Sequence, residues 1–90
     1  KPNPPAAVPF ALAGLAQSRE NSGDCPAAKA AAERFLSEHK DHFLAPQVHA
    51  SLARCLAALG ASNPANEALA RIEFLYPNTY WSAWAKARKK

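Results

Sequence analysis

The side chains of this chain most able to do chemistry are two cysteines and three histidines, and their spacing limits what that chemistry can be. Cys25 and Cys55 are the only cysteines. They do not form a C-x-x-C pair, so a dithiol redox motif is absent. In a reducing compartment both would be small buried apolar residues, and in an oxidising one they are candidates for a bridge. His39, His42 and His49, together with Asp41, raise metal ligation as a question. No two of the histidines have the helical H-x-x-x-H spacing and no cysteine lies near them in sequence, so the pattern does not predict a metal site. His39 falls instead on an apolar helical stripe, and His42 is expected in a solvent loop. No phosphate loop, nucleophile elbow or carboxylate pair accompanies them, and Ser and Asp are scattered. The sequence therefore predicts neither an enzyme nor a bound cofactor.

Composition supports that reading and narrows the fold. Alanine abounds, methionine is absent and only three glycines occur among 90 residues. Such a composition favours helices and lacks the β-branched enrichment of a sheet. A domain of this size buries about 60–65% of its unfolded surface, so modest stability is expected. No apolar run approaches the ~20 residues of a membrane span. The chain opens on Lys1 rather than Met, as a processed chain or an excised domain would, and no signal segment is read in it. The net charge of +4 is unevenly placed, because Lys86, Arg88, Lys89 and Lys90 cluster at the end. Cations there also suit a helix C-terminus, and the rest of the chain is close to neutral.

The elements follow from punctuation and periodicity. Residues 1–8, KPNPPAAV, read as a proline-rich linker. Pro9 opens a helix to about Asn21, with Ala11, Leu12, Leu15 and Ala16 on one side. Ser22, Gly23 and Asp24 break it, and Asp24 can cap a second helix with Pro26 in its first turn. Ala28, Ala31, Ala32, Phe35, Leu36 and His39 then trace one continuous helical stripe. After a loop, Pro46 opens a third helix whose stripe is Val48, Leu52, Cys55, Leu56 and Leu59, ended by Gly60. Asn63 can cap a fourth helix bearing Ala65, Ala68, Leu69, Ile72, Leu75 and Tyr76, stopped by Pro77. Thr79 or Ser82 can start a short last helix, placed at 83–90, with Trp84 and the basic end. Short connections make successive helices antiparallel.

These elements repeat at a spacing of 37 residues. Pro9 falls on Pro46, Ala13 on Ala50, Leu15 on Leu52, Gly23 on Gly60, Ala28 on Ala65, Ala31 on Ala68 and Arg34 on Arg71. A period of that length marks stacked helical hairpins, each too small to bury its own apolar face. The turn glycines Gly23 and Gly60, the alanines Ala28 and Ala65 and the closing Tyr76-Pro77 resemble the tetratricopeptide repeat family. The segments GDCPAAKAAAERFLSEHKDHFLAP, ASLARCLAALG and FLYPNTYWSAWAKAR are most similar to bacterial cell-envelope members. Those are the Tol–Pal-associated YbgF-like periplasmic proteins and the BamD-like outer-membrane assembly lipoproteins. Repeat one departs from the family, with His39-Lys40 for Tyr-Pro and Arg19 at a position that is usually apolar.

The resemblance, which covers residues 9–88, implies an all-α, tetratricopeptide-like α-solenoid: repeats at about 9–45 and 46–82, then the terminal helix. It implies a periplasmic or outer-membrane-associated location and a non-catalytic scaffold that binds a partner protein or peptide, or associates with itself. The family's concave groove is lined by the first helix of each repeat. Here that corresponds to Phe10, Ala13, Gln17, Glu20 and Asn21, then Gln47, Ala50, Arg54, Ala57 and Ala58, then Trp84. Trp81 and Trp84 either cap the last hairpin or offer an exposed aromatic surface. Cys25 and Cys55, on helices that pack side by side, are neighbours, and a bridge closing that loop would add about 3 kcal/mol. The alternative function is binding to an anionic surface, membrane or nucleic acid, through the basic aromatic C-terminal segment.

Overall fold

Alanine-rich stretches bounded by proline at one end and glycine at the other become helices. The computed structural model describes residues 7–89. Five helices follow in order: α1 (Ala7–Asn21), α2 (Cys25–Glu38), α3 (Ala45–Ala58), α4 (Ser62–Leu75) and α5 (Tyr80–Arg88). No strand occurs among the described residues, so the all-α expectation holds. Each helix packs on the next, and α1 also reaches α3. None of the described helices is long and apolar enough to cross a membrane.

The 37-residue period is visible in the element boundaries. Moving Cys25–Glu38 by that interval gives Ser62–Leu75, the bounds of α4. Both hairpin turns are also built alike. Gly23 (φ 84°) donates its N–H to the Glu20 carbonyl at 3.0 Å, and Asp24 donates to Arg19 at 2.8 Å. Gly60 (φ 80°) donates to Ala57 at 3.0 Å, and Ala61 donates to Leu56 at 2.9 Å. These paired bonds form a Schellman motif, which needs the left-handed backbone that glycine adopts without a Cβ penalty.

The helix starts depart from the sequence reading at three places. α1 already includes Ala7 and Val8 of the expected linker, and Pro9 is tolerated there because an early helical turn needs no N–H donor. Residues 1–6 of that linker lie outside the described residues. Asp24 does cap α2, its carboxylate accepting from the Ala27 N–H at 3.3 Å. Asn63, however, does not cap α4, which starts two residues earlier than such a cap would place it, at Ser62, with Ala61 at the cap position and no side-chain cap. α5 begins at Tyr80 rather than 83, because Thr79 and Ser82 form a reciprocal capping box ahead of it.

The apolar interior has two parts. One gathers α1, α2 and the start of α3 around Phe35, and the other gathers the end of α3, α4 and α5 around Ile72. Phe35 and Ile72 stand 37 residues apart and are both fully buried, each stabilising the fold by about 1.5–3 kcal/mol through burial. Leu52 packs against both parts. Cys25 on α2 and Cys55 on α3 meet at disulfide distance, with Cα atoms 5.1 Å apart, and tie the first hairpin to the second.

Two faces differ from expectation. In α1 the buried residues are Pro9, Leu12, Ala13 and Ala16, whereas Ala11 and Leu15 face solvent. α3 buries Ala45, His49, Ala50, Ser51 and Ala53 in addition to Val48, Cys55 and Leu56. It lacks a solvent stripe of the usual width because α1, α2 and α4 all pack on it.

Candidate functional site

The central position of α3 leaves a concavity on either side of it. Between α1 and α3 runs an open groove of about 690 Å³ whose wall includes Phe10, Gly14, Gln17, Asn21, Leu44 and Gln47. Four residues assigned to a partner groove from the sequence thus come together: Phe10, Gln17, Asn21 and Gln47. The side-chain amides of Gln17, Asn21 and Gln47 make no hydrogen bond within the described residues. Phe10 is half exposed, and its ring meets His42 at 5.2 Å and Phe43 at 5.8 Å, edge to face.

Of the remaining assigned residues, only Ala13 also lines this groove. Ala50 is fully buried and offers no surface, because α3 is covered on three sides; Ala13 reaches the groove but is itself buried. Ala57 and Ala58 are exposed near the end of α3. Glu20, Arg54 and Trp84 form a second cluster that joins α1, α3 and α5. Arg54 donates from Nε and Nη2 to the Glu20 carboxylate, with Nη2 to Oε1 at 3.0 Å, and Nη2 also reaches Ser51 Oγ at 3.3 Å. These Arg54 bonds hold the Glu20 carboxyl below its ordinary value, against partial burial, with Ser51 adding to the effect. Arg54 lies 5.6 Å from the Trp84 ring centre and Arg88 lies 4.7 Å from it. Both distances suit cation–π attraction. The one cation of the expected groove is therefore a strut between helices. Nothing in local spacing marks this pair, whose members are 34 residues apart.

The C-terminal cations are partly engaged as well. Lys89 Nζ lies 2.7 Å from Glu73 Oε1, while Lys86 is exposed. Trp81 and Trp84 are half-buried against the second core and meet edge to face at 6.0 Å.

The histidines occupy three different environments. His42 is not in solvent, as the sequence suggested. It is half-buried, lies 5.7 Å from the Phe35 ring and accepts the Leu44 N–H at Nδ1, 3.1 Å away. His39 packs on Phe35 at 5.7 Å, and its Nε2 is buried without a hydrogen-bond partner. No group of three or more His, Cys, Asp or Glu side chains that could hold a metal occurs among the described residues.

His49 belongs to the second concavity, a cleft of about 710 Å³ between α2 and α4. It is 5% exposed and forms part of the lining with Leu52, while Leu36 comes from α2 and Arg71 and Leu75 from α4. Burial pushes its imidazole down to about 4, and the charge of Arg71 adds to the effect. The same desolvation raises the Tyr76 phenol, with Asp41 contributing. Sequence reasoning missed this cleft. The available signal was His49 itself, which stands where the 37-residue period places Leu12 in the first repeat.

No family model matches the sequence, and no curated protein matches it either.

Proposed function

We propose that this chain is a non-catalytic interaction module made of tetratricopeptide-like hairpins, which takes a partner protein or peptide in the α1–α3 groove. The observation that carries the reading is the convergence of Phe10 and Gln47, equivalent positions of successive repeats, on one open trough with unpaired amides. An exposed aromatic ring beside amide donors and acceptors suits an extended or helical segment with an apolar face better than a highly charged ligand. The coincident bounds of α2 and α4 and the matching turns at Gly23 and Gly60 support the repeat assignment. The resemblance to envelope repeat proteins and the Cys25–Cys55 pair favour an oxidising compartment, the periplasm or the outer-membrane surface. Anionic-surface binding is the weaker reading, since Arg88 lies on Trp84 and Lys89 on Glu73.

Photo-crosslinkers placed at Gln17 and at Gln47 are expected to capture the same envelope partner, and one at exposed Glu67 is expected to capture none. Q17A/Q47A should weaken that association about tenfold while leaving the urea midpoint unchanged. Capture that is strongest at Glu67, or indifferent to Q17A/Q47A, would remove the groove from consideration. Arg54 is unsuitable for the test because its loss also frees Glu20.

A further inference from the structure

The cleft between α2 and α4 lies away from the proposed groove: Gln47 and His49 are two residues apart on α3, about 200° of helical rotation. We propose that this cleft is a binding site for a small apolar organic acid, with its carboxylate on Arg71 and His49 and its hydrocarbon part against Leu36, Leu52 and Leu75.

Three observations carry the assignment. The first is His49, which is 5% exposed, lines the cleft and has no hydrogen-bond partner among the described residues. A ligand atom in the cleft would give the imidazole the hydrogen-bond partner that the protein does not supply. Tyr76 fixes the ring from one side, edge to face at 6.0 Å. The second is charge. Arg71 has no ion-pair partner among the described residues, and its charge reaches His49. Lys40, at the opposite rim, is equally unpaired, whereas Glu33 is already matched by Lys29 at 3.4 Å. Asp41, in the loop after α2, is the remaining anion of the lining, and its charge reaches Tyr76 at the end of α4. The third is size and lining: about 710 Å³, with leucines from three helices, falls within the range of small-ligand sites. A guanidinium that takes a carboxylate beside an apolar wall selects an acid over its neutral analogue.

The test uses 3-phenylpropionate as probe, 3-phenylpropionamide as its neutral counterpart and backbone amide NMR as readout. The acid is expected to bind with a Kd of about 1 mM or tighter, moving resonances of α2, α3 around His49 and α4. R71Q, an exposed and therefore structurally mild substitution, should weaken it about tenfold, and Q17A/Q47A should leave it unchanged. The His49 imidazole should titrate at higher pH in the loaded protein, because a bound carboxylate favours the imidazolium. Equal binding of acid and amide, indifference to R71Q, shifts confined to α1 or α5, or no binding would each overturn the assignment. Since the α1–α3 groove is probed by separate residues, either reading can fail alone.

Discussion

The chain leaves its first hairpin through residues 39–44 and its second through residues 76–79, and different forces hold the two exits. At the first, packing is added to local hydrogen bonds such as Leu44 N–H to His42 Nδ1: His42 stacks on Phe43 at 4.6 Å and packs edge-on to Phe10 and Phe35, which come from α1 and α2. At the second, local hydrogen bonds hold it. The Thr79 hydroxyl donates to the Tyr76 carbonyl at 2.6 Å, and Thr79 and Ser82 cap each other at 3.0 and 3.3 Å. Asn78 takes φ 61°, a left-handed turn that asparagine tolerates. Both exits begin alike, since His39 and Tyr76 occupy equivalent positions and donate their N–H to Phe35 and Ile72. The lesson is that one repeat position can be stabilised by distant packing in one copy and by neighbouring residues in the next.

Removing the tie between the hairpins should have the largest effect on that comparison. With the cysteines 30 positions apart, the bridge stabilises by about 3.5 kcal/mol in the chain-entropy picture. C25S/C55S should lose that amount in urea unfolding and broaden the transition as the halves melt separately. A loss below about 1 kcal/mol would mean that packing alone aligns the hairpins.

Acid is expected to act next, and on the second hairpin's side. The folded His49 titrates near 4 instead of 6.5, so the unfolded chain takes up its proton first. Stability should fall by up to about 3 kcal/mol as pH drops from 6.5 to 4 and then lose this contribution to the slope. The Glu20–Arg54 pair supplies a separate loss at lower pH, as its depressed carboxyl is protonated. Urea midpoints of H49L across that range should be flat where the parent's decline.

The smallest effects should separate the exits themselves. T79A removes one cap and should cost about 1 kcal/mol, confined to α5 in amide exchange. H42A should cost slightly more, about 1–2 kcal/mol, and should loosen α1 as well as the loop, because its partners lie on distant helices. Equal, purely local effects would erase the distinction.

What the sequence revealed tracks how local each determinant is. The Gly23 and Gly60 turns, the Asp24 cap and the α2 stripe depend on neighbours within five residues, and each is readable. The face of α1 is not, because its apolar residues lie all round: Leu15 ends 43% exposed while Ala13 is buried. Alanine fits either side, so periodicity does not choose. The central placement of α3 comes from three partners at once and converts His49 and Ser51 into buried residues. Arg54 looks like a free groove cation until α1 brings Glu20 against it. Phe10, Gln17, Asn21 and Gln47 share one concavity because their repeat positions fall on facing helices, and the α2–α4 cleft was hidden because it belongs to no single helix.

A bond between Cys25 and Cys55, which lie at disulfide distance, would also determine how the molecule responds to being pulled. With the two sulfurs joined, tension applied between its ends bypasses residues 26–54, sparing nearly all of α2 and α3. About 100 Å of chain is thereby withheld from extension. Under load α1 would unravel from one side and α4 and α5 from the other, around a knot of protein that bears no strain.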